Sequence, residues 1–192
     1  MTLLDQALAA PECVISVMGD HAGEGIDAIF ERKMADIDTA GHTFWVAKSA
    51  KARPAQVQSL CTTQAGYVIF VEAATQGGAR PTIASVSASE YSSDQIDWLP
   101  LPPGIGPVTG KIDNSATAFV FDQLTTVSSG TLDLWRYSDH LDVSRPVRFI
   151  LGCSTMCAVR ADMTTHSQRM KSRFRRIVAV GRLAEPYCVW LR

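Results

Sequence analysis

Cationic side chains and one aromatic ring are concentrated within a short run near the end of the chain. The run comprises Arg169, Lys171, Arg173, Phe174, Arg175 and Arg176. An arginine presents a planar fork of N–H donors that matches a phosphate or carboxylate group, and an aromatic ring can stack on a nucleic-acid base. This pattern predicts a binding module that engages nucleic acid or another acidic macromolecule. Trp98, beside a proline-rich stretch, is a further candidate stacking surface.

The distribution of charge along the chain leaves a second interpretation of that run open. Residues 1–144, here called the acidic body, hold 8 Lys and Arg against 17 Asp and Glu, whereas residues 145–192, the basic tail, hold 10 against 2. The formal net charge of −1 lacks the basic excess of a dedicated DNA-binding domain. Arg173, Arg175 and Arg176 could therefore pair with the acidic helix of the same chain. Opposite charges on two faces also suit an inhibitor or adaptor that binds another protein.

A different chemistry is indicated where the predicted strands of the first half end. Residues 19–25 form a glycine-containing loop between a strand and a helix, but their spacing fits neither the dinucleotide fingerprint nor a P-loop. Asp20 and His21 follow the first strand, Lys48 the second and Glu72 the third. Polar groups at the carboxyl ends of parallel strands commonly meet around a ligand. These four residues are candidate acid–base groups, and the alternative function is an enzyme acting on a nucleotide-like or phosphorylated small molecule.

Soft ligands in the second half do not have the spacing of a metal site. Cys153 and Cys157 are four residues apart, but His140 and His166 each stand alone, whereas structural zinc sites usually pair their ligands closely. Apolar neighbours indicate buried thiols. The sequence predicts no metal site and no cofactor.

Hydrophobic periodicity indicates the elements that must position these groups. The first part of the chain predicts a βαβαβ opening with a parallel core and right-handed crossovers, because strands and helices alternate within about seventy residues. Its elements are a strand over 13–18, a helix over 26–37 closed by Gly41, a strand over 43–47, a helix over 55–62 and a strand over 67–71.

The second half predicts a β-rich, largely antiparallel arrangement that completes an α/β protein. A Pro- and Gly-rich loop over 99–110 is a possible sub-boundary within one domain, residues 1–192. The remaining predicted elements are strands over 82–87, 132–137 and parts of 147–159, a helix over 115–127, and a closing hairpin between 177–180 and 187–191.

Composition and cysteine content predict the class and compartment. Hydrophobic residues make up 46% and charged residues 19% of the 192 residues, which is typical of a folded globular protein. No apolar run approaches the roughly 18 residues of a spanning helix, and the N-terminus lacks the basic start of a secretory signal. The five cysteines are an odd number at irregular spacing, which favours a reducing compartment. We expect a soluble, cytoplasmic protein that does not bind a membrane.

Overall fold

The computed structural model describes residues 1–19, 24–47, 57, 66–73, 86–105, 109–110, 116–147, 156–162 and 173–192. Within these ranges the protein is a mixed α/β structure with two α-helices and a large, mostly antiparallel sheet. Its elements in chain order are α1 Leu3–Ala9, β1 Glu12–Met18, α2 Ile26–Ala40, β2 Thr43–Ala47, β3 Tyr67–Glu72, β4 Val86–Ser87, β5 Glu90–Ser92, β6 Leu99–Pro100, β7 Thr109–Gly110, β8 Ala116–Thr126, β9 Thr131–Asp133, a 3-10 turn Leu134–Arg136, β10 Tyr137–Asp139, β11 Asp142–Pro146, β12 Met156–Ala161 and β13 Phe174–Leu191.

Strands β1, β2 and β3 and helix α2 match the sequence prediction because their signals are local, whereas the sequence pattern does not predict helix α1. Helix α2 begins after Gly25 and ends at Gly41, whose φ of 77° is the left-handed conformation that glycine adopts most readily. One side of α2 buries Ile29 and Phe30 against the sheet, and Phe30 stacks on Trp45 of β2 with ring centroids 5.2 Å apart. The predicted helix over 55–62 lies outside the described residues except Val57, which is helical and buried.

The parallel core predicted for the opening is confirmed only for one pair of strands. Strand β1 pairs with β3 in parallel, but β2 pairs antiparallel with β8. Neighbouring strands run in the order β11, β10, β12, β1, β3, β13, and β8 then joins β13 to β2. Strand β2 therefore lies beyond β3 and β13, on the far side of β8. No local sequence pattern specifies the pairing of β2 with β8.

The helix predicted over 115–127 is wrong, because this segment is the strand β8. Phe119 and Phe121 pack into the core beneath α2, whereas Ala118 and Val120 pack into a separate cluster on the other face. Both faces of β8 are therefore apolar, so the hydrophobic spacing did not separate a buried strand from a helix. Its β-branched and aromatic residues favour the strand.

The closing hairpin is also wrong, because both halves belong to the continuous strand β13. Strand β13 pairs antiparallel with β3, β5, β8 and β9 along its length. Leu183 pairs with Phe121 and Cys188 with Phe119, so residues 184–187 lie opposite Val120 as a bulge. The polar, proline-containing segment that resembles a turn in the sequence is this bulge. The antiparallel character predicted for the second half is confirmed.

Two hydrophobic layers cover the two faces of the sheet near β1, β3 and β13. Helix α2 covers one face, where its Phe30 joins Phe70 of β3 and Phe121 of β8 in one hydrophobic cluster. On the opposite face, α1 and the segment around Trp135 pack on Ile69 and Ile177. The middle of the sheet is thus held rigidly from both sides, and the ends of β3 and β13 emerge from that support.

Candidate functional site

Glu72, one of the strand-end candidates, and the start of β13, which carries part of the basic run, lie at the same end of the sheet. Strand β3 ends at Glu72, and the next residue, Ala73, donates its backbone N–H to the carbonyl of Met18 at the end of β1, 2.8 Å away. Strand β13 runs antiparallel to β3 with Ile177 opposite Val71. Its first residues therefore lie at the carboxyl ends of β1 and β3, where the basic run enters the sheet.

Glu72 and Arg176 form the contact that joins the end of β3 to the basic run. Arg176 Nε donates to Glu72 Oε2 at 2.9 Å, and the Arg176 side chain is 50% exposed. This hydrogen bond lowers the pKa of the Glu72 carboxyl. It also raises the pKa of Arg176, to which the negative charge of Asp27 on α2 contributes further. Glu72 is therefore an ionised ion-pair partner, which does not suit a general acid.

Arg173 and Phe174 form a stacked pair beside that contact. The Arg173 guanidinium Cζ lies 4.7 Å from the centroid of the Phe174 ring, within range of a cation–π interaction, and half of Phe174 is exposed. Arg173 Nη2 is 3.4 Å from Asp133 Oδ2, and Phe174 is paired with Asp133 across β9 and β13. Arg175 donates from Nη1 to the Phe174 carbonyl at 3.2 Å. We call Arg173, Phe174, Arg175 and Arg176 the cationic patch.

Several arginines of the basic tail form ion pairs with carboxylates of the acidic body. These pairs connect the tail to strands and turns rather than to one acidic helix. Within the described residues they are Arg145–Asp142, Arg160–Glu12, Arg173–Asp133, Arg176–Glu72, Arg182–Asp122 and Arg192–Glu90. Part of the charge asymmetry is thus neutralised inside the molecule, and the exposed members are screened by water and salt.

Trp98 lies away from the cationic patch. Its indole Nε1 donates to the Gln95 carbonyl at 3.2 Å, and Arg192 stacks over its ring with Cζ 4.2 Å from the centroid. Arg192 follows the last residue of β13, whereas the cationic patch surrounds the first. The two candidate stacking surfaces are therefore at opposite ends of one strand.

The remaining candidate residues fall in parts of the chain that the structure does not describe. Asp20, His21, Lys48, Arg169 and Lys171 lie outside the described residues, as do Cys153 and His166; the roles assigned to them stay predictions.

His140 and Cys157 are the two of the four soft ligands considered above that lie within the described residues. Cys157 is buried in β12, and His140 Nδ1 is 3.4 Å from Glu12 Oε1. The described ranges contain no group of three or more His, Cys, Asp or Glu side chains arranged to hold a metal ion. None of the helices in those ranges has the length and apolar content needed to cross a membrane.

Sequence reasoning missed Asp133 as a neighbour of the basic run. Asp133 approaches Arg173 because β9 pairs with the start of β13, a contact between segments about forty residues apart. The single strand predicted over 132–137 is wrong, because the 3-10 turn Leu134–Arg136 separates β9 from β10. Alternation in this segment also does not specify that β9 pairs with β13.

Comparisons with models of protein families, with curated proteins and with solved structures gave no match to this chain.

Proposed function

We propose that the protein is a binding module for single-stranded nucleic acid and that the cationic patch is its contact surface. The observation that supports this proposal is the half-exposed Phe174 ring with the Arg173 guanidinium stacked on it. Arg176 lies on the same face of β13 as Phe174, whereas Arg175, which is paired with Leu132, lies on the opposite face. Proteins that bind single strands combine cations that follow the phosphate backbone with aromatic rings on which bases stack.

The charge around the patch favours a polyanion. Residues 163–184 contain Arg169, Lys171 and Arg182 as well as the arginines of the patch, and they contain no Asp or Glu. Because a phosphate backbone carries a negative charge at every nucleotide, a stretch of this composition favours a polyanionic ligand. The start of β13 is paired with β9, so the patch is presented on regular backbone rather than on a chain that must first be ordered.

Ion pairs within the patch are compatible with binding. The pairs of Arg173 with Asp133 and of Arg176 with Glu72 have half-exposed arginines, and exposed pairs contribute about 0–1 kcal/mol because water screens them. A phosphate oxygen accepts the same charge-assisted hydrogen bond as a carboxylate oxygen. Asp133 and Glu72 can thus hold the guanidinium groups extended in the absence of ligand and be replaced by phosphates when nucleic acid binds.

Fluorescence anisotropy with an oligothymidylate of about 12 nucleotides tests the proposal. We expect binding that weakens steeply as salt increases, because each phosphate contact contributes about −0.7 to the slope of log K against log salt. Arg173→Glu should lower the affinity about tenfold and reduce that slope by about 1, because Arg173 is the guanidinium stacked on Phe174. Arg145→Glu is the matched control, since Arg145 is an exposed arginine of β11 that pairs with Asp142. Absent or salt-insensitive binding, or an equal loss for both variants, would contradict the proposal.

A further inference from the structure

The proline-rich stretch that follows Trp98 has a backbone course that its own sequence restricts. It reads Leu99-Pro100-Leu101-Pro102-Pro103, and we call these residues the proline segment. Proline fixes φ at about −65°, and a residue that precedes proline is held in extended or polyproline II backbone. Three prolines within the segment therefore favour polyproline II, a helix with three residues per turn.

The exposure of the proline segment follows that three-residue period. Pro100 and Pro103 are exposed, whereas Leu101 and Pro102 between them are half-buried. Leu101 packs against the hydrophobic cluster on the face of β8 opposite α2. Leu99 is 53% exposed beside Pro100. The segment therefore turns one edge into the protein and presents Leu99, Pro100 and Pro103 to solvent.

Strand β5 anchors the start of the proline segment. Strand β6 pairs antiparallel with β5, and the next residue, Leu101, donates its backbone N–H to the Ser89 carbonyl at 2.9 Å. Arg192 stacks on Trp98, the residue before the segment, and also pairs with Glu90 of β5. Within the described residues, β5 is the one strand that pairs with β6, and both side chains of β6 are exposed.

A tight turn ends the proline segment. The backbone N–H of Ile105 donates to the Pro102 carbonyl at 3.4 Å, and Gly104 has a φ of 88°. Pro103 and Gly104 therefore occupy the central positions of a type II turn, which favours proline followed by glycine. A segment fixed at both ends loses little conformational entropy when a partner binds it.

We propose that the proline segment is a docking motif for a partner protein that recognises polyproline II through an aromatic-lined groove. Pro100 and Pro103 supply the P-x-x-P spacing that such grooves bind, and both rings lie on the exposed edge. Leu99 adds apolar surface next to the first of these prolines. Leu101, between them, holds the segment to its own protein and leaves the prolines available. This inference does not depend on nucleic-acid binding.

Isothermal titration calorimetry of the full chain against a panel of purified SH3, WW and EVH1 domains tests the proposal. We expect micromolar binding by at least one domain, with chemical-shift changes that map to the aromatic groove of that isotope-labelled domain. Pro100→Ala and Pro103→Ala should each weaken binding about tenfold or more, because each removes a ring from the exposed edge. Leu99→Ser should weaken it as well. Pro11→Ala is the matched control, since Pro11 is an exposed proline between α1 and β1.

Urea denaturation shows whether each variant is folded, and binding is compared among the folded variants. Absence of binding by every domain of the panel would overturn the proposal. Binding that the substitutions at Pro100 and Pro103 leave unchanged, or an equal loss in Pro11→Ala, would overturn it as well. Pro103→Ala should retain oligonucleotide binding, because β5 and β6 adjoin the end of β13 and the cationic patch lies at its start. Either proposal can therefore fail while the other stands.

Discussion

Glu72→Gln is the substitution that most directly tests whether internal carboxylates hold the place of phosphates at the cationic patch. In the wild type, Arg176 Nε donates to Glu72 Oε2 at 2.9 Å. The amide of Gln still accepts a hydrogen bond, but it carries no negative charge. The substitution therefore leaves the shape of the site almost unchanged and releases the Arg176 charge for an external anion.

The size of the effect follows from the exposure of the pair. The Arg176 side chain is half exposed and that of Glu72 about one-third exposed, so solvent screening limits their interaction to about 0.5–1 kcal/mol. Converted at 1.4 kcal/mol per tenfold, the affinity for an oligonucleotide should rise about two- to fivefold. The free energy of unfolding should fall by no more than the same amount. Since pairing lowers the pKa of Glu72, the contribution of the pair to stability is present at neutral pH and is lost as the pH falls through that lowered pKa.

Fluorescence anisotropy in about 0.1 M salt measures the affinity, and urea denaturation measures the stability. The matched control is Asp142→Asn, which removes the carboxylate from another exposed pair, with Arg145 Nε 2.8 Å from Asp142 Oδ2. Strand β11 is five strands away from β13, or about 24 Å, beyond the Debye length of about 10 Å. Equal affinities for Glu72→Gln and the wild type, or an equal gain for Asp142→Asn, would refute the reasoning.

Three further predictions concern the scaffold. Gly181→Ala should lower the unfolding free energy by about 1–3 kcal/mol in urea denaturation, because an added Cβ would lie 2.6 Å from the buried Phe121 ring. Asp36→Asn should lower it by about 3 kcal/mol, since it leaves the buried Lys33 ammonium without the carboxylate 3.3 Å away. Burial raises the pKa of the Cys13 thiol to about 12, so the thiol stays protonated in the folded state at a pH where it ionises in the unfolded chain. Above about pH 9, wild-type stability should therefore fall with pH more steeply than that of Cys13→Ala, by up to about 1.4 kcal/mol per pH unit.

Each of these predictions has a control. Gly25→Ala meets no atom within 4 Å and should be tolerated, so equal losses at Gly25 and Gly181 would contradict the packing argument. Asp38→Asn changes an exposed carboxylate on the same helix as Asp36 and should have little effect on stability. Parallel pH profiles for the wild type and Cys13→Ala would contradict the burial argument for the thiol.

The elements that the sequence predicts correctly are those whose signals are local. Helix α2 has an amphipathic repeat and a glycine at its C-terminal end, and β1, β2 and β3 are short apolar runs bounded by polar residues. The apolar spacing of β8 wrongly predicts a helix because both faces of this strand are buried, which removes the alternation that marks a half-exposed strand. Strand β13 was divided in two because its bulge has the composition of a turn. The antiparallel pairing of β2 with β8 joins distant segments, which the spacing of apolar residues does not encode.

In the candidate site, too, local features are predictable from the sequence and contacts between distant residues are not. The type and density of cations in the basic run were evident from sequence, as was the position of Glu72 at a strand end. The contact between Glu72 and Arg176 joins residues 104 positions apart and depends on the register of β13 against β3. Whether a given arginine has a carboxylate neighbour is therefore a property of the topology. The candidates Asp20, His21, Lys48, Arg169 and Lys171 stay predictions.

Ultraviolet crosslinking of a bound oligothymidylate, followed by mass spectrometry of the attached peptide, tests the central claim most directly. Because bases are proposed to stack on the exposed Phe174 ring, the crosslink should map to Phe174 and should disappear in Phe174→Leu. Crosslinking that maps to Trp98 at the other end of β13, or that persists at the same yield in Phe174→Leu, would contradict the account.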